Sequence, residues 1–241
     1  MTEKKIVIIG GSGSIGASIA KEIKKEGFIP HLVGRNITSL KSVSEELECS
    51  YDIVDVTDSN KLLNCLNSYA DNVCGLAYCV GSINLKPLSI ATENDYIESF
   101  KLNTIGAILA TQSLQNSLKK NNGSILFFST IAVKQGFTNH TIVSTSKGAI
   151  EGLTLSLAAE LAPDVKVNCI APSLTESNMS KNILSNDNIK KAIENMHPIP
   201  KVGNADDYGK ISAFLLGSNN NWITGQIIHI DGGRSTLRKK G

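Results

Sequence analysis

A chain of 241 residues, 41% hydrophobic and 19% charged, has the length of one α/β domain, can bury a sizeable core, and has the composition of a soluble globular protein. Its 24 Lys+Arg and 22 Asp+Glu leave a formal charge of +2, which is no basis for binding nucleic acid or an anionic membrane. The sequence has no signal-peptide pattern and no transmembrane run, and Cys49, Cys65, Cys74, Cys79 and Cys169 lack metal-ligand or CxxC spacing, so free thiols in a cytoplasmic protein are expected.

Short β-branched runs alternate with longer helical stretches. Residues 6–9 (Ile-Val-Ile-Ile) predict a buried strand. Residues 15–25 follow with Ile15, Ile19, Ala20 and Ile23 at helical spacing, and Gly27 ends that helix. Strand two is expected at 31–33, a helix at 39–47 and strand three at 51–54. Strand four spans 73–80, and a long helix over 92–118 closes at Asn121-Asn122-Gly123 before strand five at 124–128. A second long helix covers 144–161, ended by Pro163, and leads to strand six at 165–170. The last strand, 227–230, precedes Asp231-Gly232-Gly233 and a basic tail, 234–241, expected to fray.

This order predicts one Rossmann-type, doubly wound α/β domain over 1–241, its parallel sheet flanked by helices on both faces. The long stretch 173–204 has weak pattern and leaves strand six at the edge where such sheets bind ligands. It reads as a substrate lid, with an irregular surface loop as the alternative. Met179, Ile183, Leu184, Ile189 and Ile193 suit a helix over an apolar substrate, and equally suit core packing.

Between the first strand and the first helix stands Gly10-Gly11-Ser12-Gly13-Ser14-Ile15-Gly16, which contains GxGxxG. Glycines let the backbone approach a pyrophosphate, and the helix amino terminus offers free N–H groups and a positive dipole end. At the end of strand two, where an acid accepts from the ribose of NAD, the chain has Gly34-Arg35-Asn36. Arg35 there suits the 2′-phosphate of NADP, so NADP(H) is expected in preference to NAD(H); a solvated arginine is the alternative.

These motifs, with others in the same order, resemble the short-chain dehydrogenase/reductase family from end to end. The glycine turn resembles TGxxxGxG with Ile9 and Ser14 at two of its positions, and Asp55-Val56 resembles the pair after strand three that meets the adenine amine. Gly81 closes a departure from Asn-Asn-Ala-Gly, here Tyr78-Cys79-Val80-Gly81, and keeps the ribose side open. Asn103 falls on the family's helix asparagine, Lys147 on its lysine, and Thr130 on its serine, with Ser129 beside it. Pro172 and Thr175 fall on the turn that contacts the nicotinamide, and Thr224-Gly225-Gln226 and Asp231-Gly232-Gly233 match the carboxyl end. The resemblance implies hydride transfer between a nicotinamide and a carbonyl or alcohol. It also implies dimers through the two long helices and tetramers that add the last strand.

The family's tyrosine, four residues before the lysine, falls on Val143, which cannot exchange a proton. General acid–base catalysis contributes about 10²–10⁴-fold, while positioning and electrostatics supply much of the rest. The leading expectation is therefore an NADP(H)-dependent oxidoreductase of small or medium carbonyl compounds with Asn103, Thr130 and Lys147 at its centre. A weak or inactive NADP(H)-binding subunit or sensor is the second. Enoyl-type reduction is the third, with His140, seven residues before Lys147, as proton donor. Tyr78 is expected on the ribose side, far from the reacting carbon, and no metal site is expected.

Overall fold

The computed structural model describes residues 4–69 and 72–238. Seven parallel strands form one sheet in the order β3-β2-β1-β4-β5-β6-β7. They are β1 (Lys5–Ile9), β2 (Ile29–Gly34), β3 (Ser50–Ile53), β4 (Val73–Tyr78), β5 (Ser124–Phe128), β6 (Lys166–Pro172) and β7 (Ile227–Ile230). The inner strands β1, β2, β4, β5 and β6 are buried on both faces because helices cover both. Val7 and Ile9 join Leu76, Tyr78, Phe127 and Leu114 on one side. Ile6 and Ile8 join Ile19, Ile23, Leu32 and Leu126 on the other.

The first helices are α1 (Ser14–Lys25), α2 (Ile37–Leu47), α3 (Ser59–Asn67) and α4 (Glu93–Phe100). Thr92 and Asp95 make a reciprocal capping box at the start of α4. The helix then runs on through a five-residue π segment, Lys101–Ile105, into α5 (Gly106–Lys120). The expected uniform helix over 92–118 is thus one continuous element with a π bulge inside it. The second long helix, α6 (Thr141–Leu161), begins three residues before its expected start and so takes in Val143. Two short helices, α7 (Lys181–Leu184) and α8 (Asp187–Glu194), sit inside the 173–204 stretch, and α9 (Asp206–Leu216) packs on α1. The sequence reading has no counterpart for α3 or α9.

The ends of that stretch are pinned together. Thr175 bridges Gly203, with Glu176 N–H donating to the Gly203 carbonyl and Gly203 N–H to the Leu174 carbonyl. The expected fray from residue 234 does not hold for its described part. Arg234 N–H donates to the Asp231 carbonyl, and Thr236 and Leu237 N–H groups turn back onto the Gly233 carbonyl. Residues 239–241 lie outside the described residues. All five cysteines are free thiols, and no described helix is long and apolar enough to cross a membrane.

Candidate active site

The carboxyl ends of β1, β4, β5 and β6, with the segments leaving them, enclose a cavity of about 760 Å³. The glycine turn forms one end. Gly10 takes φ +85° and donates its N–H to the Val33 carbonyl at 2.7 Å. A Cβ on Gly16 would fall on the Gly10 carbonyl oxygen, so α1 approaches the turn more closely than a side chain permits. Gly13 caps α1 without a side-chain hydrogen bond, which leaves the first-turn N–H groups available to an anion. Gly10, Gly13, Ser14, Ile15 and Gly16 line the cavity. Ser12 does not; it sits half-buried beside the end of β2.

Arg35, Asn36, Asp55 and Val56 form a separate group at the ends of β2 and β3, outside the cavity lining. The Arg35 side chain is 76% exposed and its guanidinium lies 3.8 Å from the Asp55 carboxylate. The other Asp55 oxygen accepts from the Thr57 N–H at 2.9 Å and hydroxyl at 2.7 Å. Those bonds, with Arg35 adding to them, hold the Asp55 carboxyl below the usual carboxylate range. The Asn36 side chain accepts from Ser39 N–H and is thereby used as the cap of α2. Val56 is a core residue.

Lys147, Asn103 and Thr130 stand together at the other end. Lys147 is 6% exposed, and its ammonium donates to the Phe128 carbonyl at 2.9 Å and the Val80 carbonyl at 3.1 Å. Burial pushes it down to about 8. A Cβ on Gly81 would stand 3.3 Å from both Lys147 Nζ and Asn103 Oδ1, which places those two atoms around one point. Asn103 lies in the π segment, fully buried, its amide donating to the Ser99 carbonyl at 2.8 Å while Oδ1 has no protein partner. A buried acceptor left open at a π bulge is a feature of functional sites. Thr130 lines the cavity, and its hydroxyl oxygen accepts only a 3.3 Å bond from Ala132 N–H, so its own proton is free to donate. The Ser129 hydroxyl beside it donates instead to Glu151 at 2.6 Å. Pro172 lines the cavity at the end of β6. Thr175 lines it too, but its hydroxyl is engaged with Tyr208 and the Ser173 carbonyl.

Val143 stands one turn before Lys147 on α6, buried against the cavity, and no tyrosine lines the cavity among the described residues. Tyr78 is held away. Its hydroxyl donates to the Leu102 carbonyl in the π segment at 2.6 Å, and burial pushes the phenol well up. A Cβ on Gly106 would fall on that hydroxyl, which is why a glycine follows the π segment. His140 lines the cavity, with Nδ1 at 2.7 Å from the Thr138 carbonyl; a carbonyl only accepts, so Nδ1 carries the proton.

From the 173–204 stretch, Met179, Ile183, Ile193 and Met196 line the cavity, whereas Leu184 and the exposed Ile189 do not. Sequence reasoning missed Phe137, Met196 and above all Arg234, which line the same wall. The two glycines after Asp231 were the available signal. Their positive φ values make the turn that leads into Arg234.

Residues 10–235 match the family model described as enoyl-(acyl carrier protein) reductase. The chain is 31% identical over 231 residues to a 3-oxoacyl-(acyl-carrier-protein) reductase of Aquifex aeolicus, covering 95% of this chain and 86% of that protein. The chain belongs to the short-chain dehydrogenase/reductase family. A second relative, a tropinone reductase homolog of Arabidopsis thaliana, is 30% identical over 240 residues, covering 95% of this chain and 89% of that one. The solved structure of ElxO with NADP bound superposes with a TM-score of 0.90 at 26% identity, covering 98% of this chain and 100% of that one. For this short-chain dehydrogenase/reductase the family match thus runs from the glycine turn past Arg234, and both ends of the cavity fall inside it.

Proposed function

We propose that this chain is an NADP(H)-dependent reductase of small or medium carbonyl compounds. The observation that carries the reading is the single cavity with an uncapped helix amino terminus at one end and Lys147, Asn103 and Thr130 converging at the other. The glycine turn and α1 would hold the pyrophosphate, Gly81 leaves room beside the ribose, and Pro172 and Thr175 would border the nicotinamide. Arg35 would take the 2′-phosphate. Its exposure and its long 3.8 Å contact with Asp55 support that, because little holds the guanidinium back. The relative solved with NADP bound supports the same choice.

The bound cofactor supplies the hydride that the carbonyl carbon accepts. The chain's own residues handle the oxygen and the proton. Thr130 donates its hydroxyl to the carbonyl oxygen. The Lys147 ammonium, titrating near 8, holds a proton at neutral pH beside the open Asn103 acceptor, which positions it on the way to that oxygen. Val143 supplies neither proton nor hydrogen bond, and this specific residue favours a second reading, a slow or inactive NADP(H)-binding subunit. His140 in the cavity wall, with the enoyl-reductase description of the family model, supports a third, reduction of a carbon–carbon double bond.

Purified protein mixed with NADPH and a panel of carbonyl and enoyl compounds, 3-oxoacyl thioesters included, separates them. Carbonyl-dependent NADPH oxidation lost in Lys147→Ala supports the first reading. Tight NADPH binding with no oxidation supports the second. Enoyl reduction abolished in His140→Ala supports the third. Equal affinity for NADH and NADPH, unchanged by Arg35→Ala, would overturn the cofactor choice.

A further inference from the structure

The wall of the cavity formed by Ile83, Leu85, Phe137, Met179, Ile193 and Met196 is apolar, and one cation is set into it. Arg234 is half-buried there. Its guanidinium carbon stands 4.7 Å over the Phe137 ring, Nη2 lies 3.3 Å from the Met196 sulfur, and Nη1 lies 3.4 Å from the Ser173 hydroxyl. An aromatic face, a thioether and a hydroxyl position the group, and none of them neutralises it. No carboxylate lines the cavity among the described residues. The acid nearest in sequence, Asp231, is occupied, its two oxygens accepting from the Gly233 N–H at 2.9 Å and the Ser235 N–H at 2.8 Å.

The arginine is also braced from behind. The Ser173 hydroxyl donates to His197 Nε2 at 2.8 Å, since Nδ1 of that buried ring is the protonated nitrogen, donating to the Ile193 carbonyl at 2.8 Å. This chain of bonds ties the end of β6 to the residues after α8, so the guanidinium is presented by packed structure. The Asp231 charge still acts on the guanidinium from a distance, but no carboxylate pairs with it within 4 Å among the described residues. A half-buried guanidinium without a directly bonded anion is costly, and its planar fork suits a carboxylate or phosphate in two parallel bonds. The pyrophosphate of a dinucleotide does not fit the place. The glycine turn follows β1, whereas the guanidinium stands against Ser173 just after β6, three strand positions away, or roughly 14 Å at the usual strand spacing. Lys147 does not compete, because it is directed at two backbone carbonyls.

We propose that Arg234 is the substrate-anion anchor of this cavity, selecting carbonyl compounds that carry a carboxylate or phosphate at the far end of an apolar chain. The carbonyl half of that statement rests on the proposed function; the anion half stands without it.

The test is calorimetric titration of the NADPH-loaded protein with octanoate, octyl phosphate and the neutral octanamide. The expected result is an anion bound about tenfold or more tightly than octanamide in the wild type. The ratio falls to about one in Arg234→Met and is intermediate in Arg234→Lys, which keeps the charge but not the fork. Whichever of octanoate and octyl phosphate binds more tightly identifies the anion. NADPH affinity stays within about twofold of wild type in both variants, and melting curves check that they fold. No anion preference in the wild type, or a preference that survives in a folded Arg234→Met, overturns the inference, as does a variant that weakens NADPH instead. An Arg234-dependent anion preference without any NADPH oxidation by the carbonyl panel leaves this site standing and removes the proposed function.

Discussion

Gly106 and Tyr78 share one space. Ala at a helix position ordinarily gains about 1 kcal/mol over Gly. Here its Cβ would meet the Tyr78 hydroxyl, so Gly106→Ala is expected to lose roughly 1–3 kcal/mol. In a Tyr78→Phe background the nearest obstacle becomes the ring carbon at 3.1 Å, and the same change costs less. Chemical denaturation of the two single variants and the double variant measures that coupling. Lys147 gives a prediction with a definite sign. Burial lowers it from 10.5 to about 8, so between those pH values the unfolded chain holds the proton and the folded one has released it. Stability at this site therefore rises with pH across that window. The stability of wild type relative to Lys147→Met is expected to improve by on the order of 2 kcal/mol from about pH 7.5 to about pH 10. If Lys147 holds the proton as proposed, carbonyl-dependent NADPH oxidation is expected to run the other way and fall above about pH 8 as the ammonium is lost, which a pH–rate profile checks.

At the scale of elements, the strands, α1, α2 and the two long helices were legible because burial on one or both faces imposes a repeat that survives in a single sequence. The π segment was not. One extra residue in a helical turn barely disturbs an apolar pattern, yet it turns Asn103 inward and gives Tyr78 the Leu102 carbonyl to bond. The early start of α6 was hidden by Thr141-Ile142-Val143, β-branched residues that disfavour a helix until Ile142 and Val143 are buried. α3 and α9 are short and half polar, and α9 gains its place by packing on α1. The start of α6 matters to function, because it puts Val143 one turn from Lys147 inside the cavity. Val143→Tyr is expected to raise NADPH-dependent carbonyl reduction, by up to about 10²-fold, with NADPH affinity little changed. A variant that folds and binds NADPH but turns over no faster would show that position 143 is not where the proton is supplied.

Over the whole molecule, the glycine turn and the Lys147–Asn103–Thr130 group of the cavity were legible in the sequence, and the wall that holds Arg234 was not. Gly10 to Gly16 at one end of the cavity, and Lys147 and Asn103 at the other, are placed by local backbone shape or a fixed position in one element, and these leave a pattern. Arg234 depends on a turn after β7 that packs against Phe137 from the β5–α6 connection, and on Ser173 and Met196 from a third segment. The glycine pair after Asp231 marks the turn, but no local pattern encodes that meeting of three segments. The exposed Ile97 on α4 and Leu155 on α6 support homo-oligomers through the long helices. Sedimentation at micromolar concentration is expected to show a dimer or tetramer, and a monomer would contradict this. The hydride-transfer reading is tested most directly with NADPH deuterated at the transferred C4 position and a carbonyl substrate from the panel. Deuterium is expected on the carbinol carbon of the product, and no longer there when Lys147→Ala is used. NADPH that binds the cavity yet delivers no deuterium to any carbonyl or enoyl compound would contradict a hydride-transfer site in this fold.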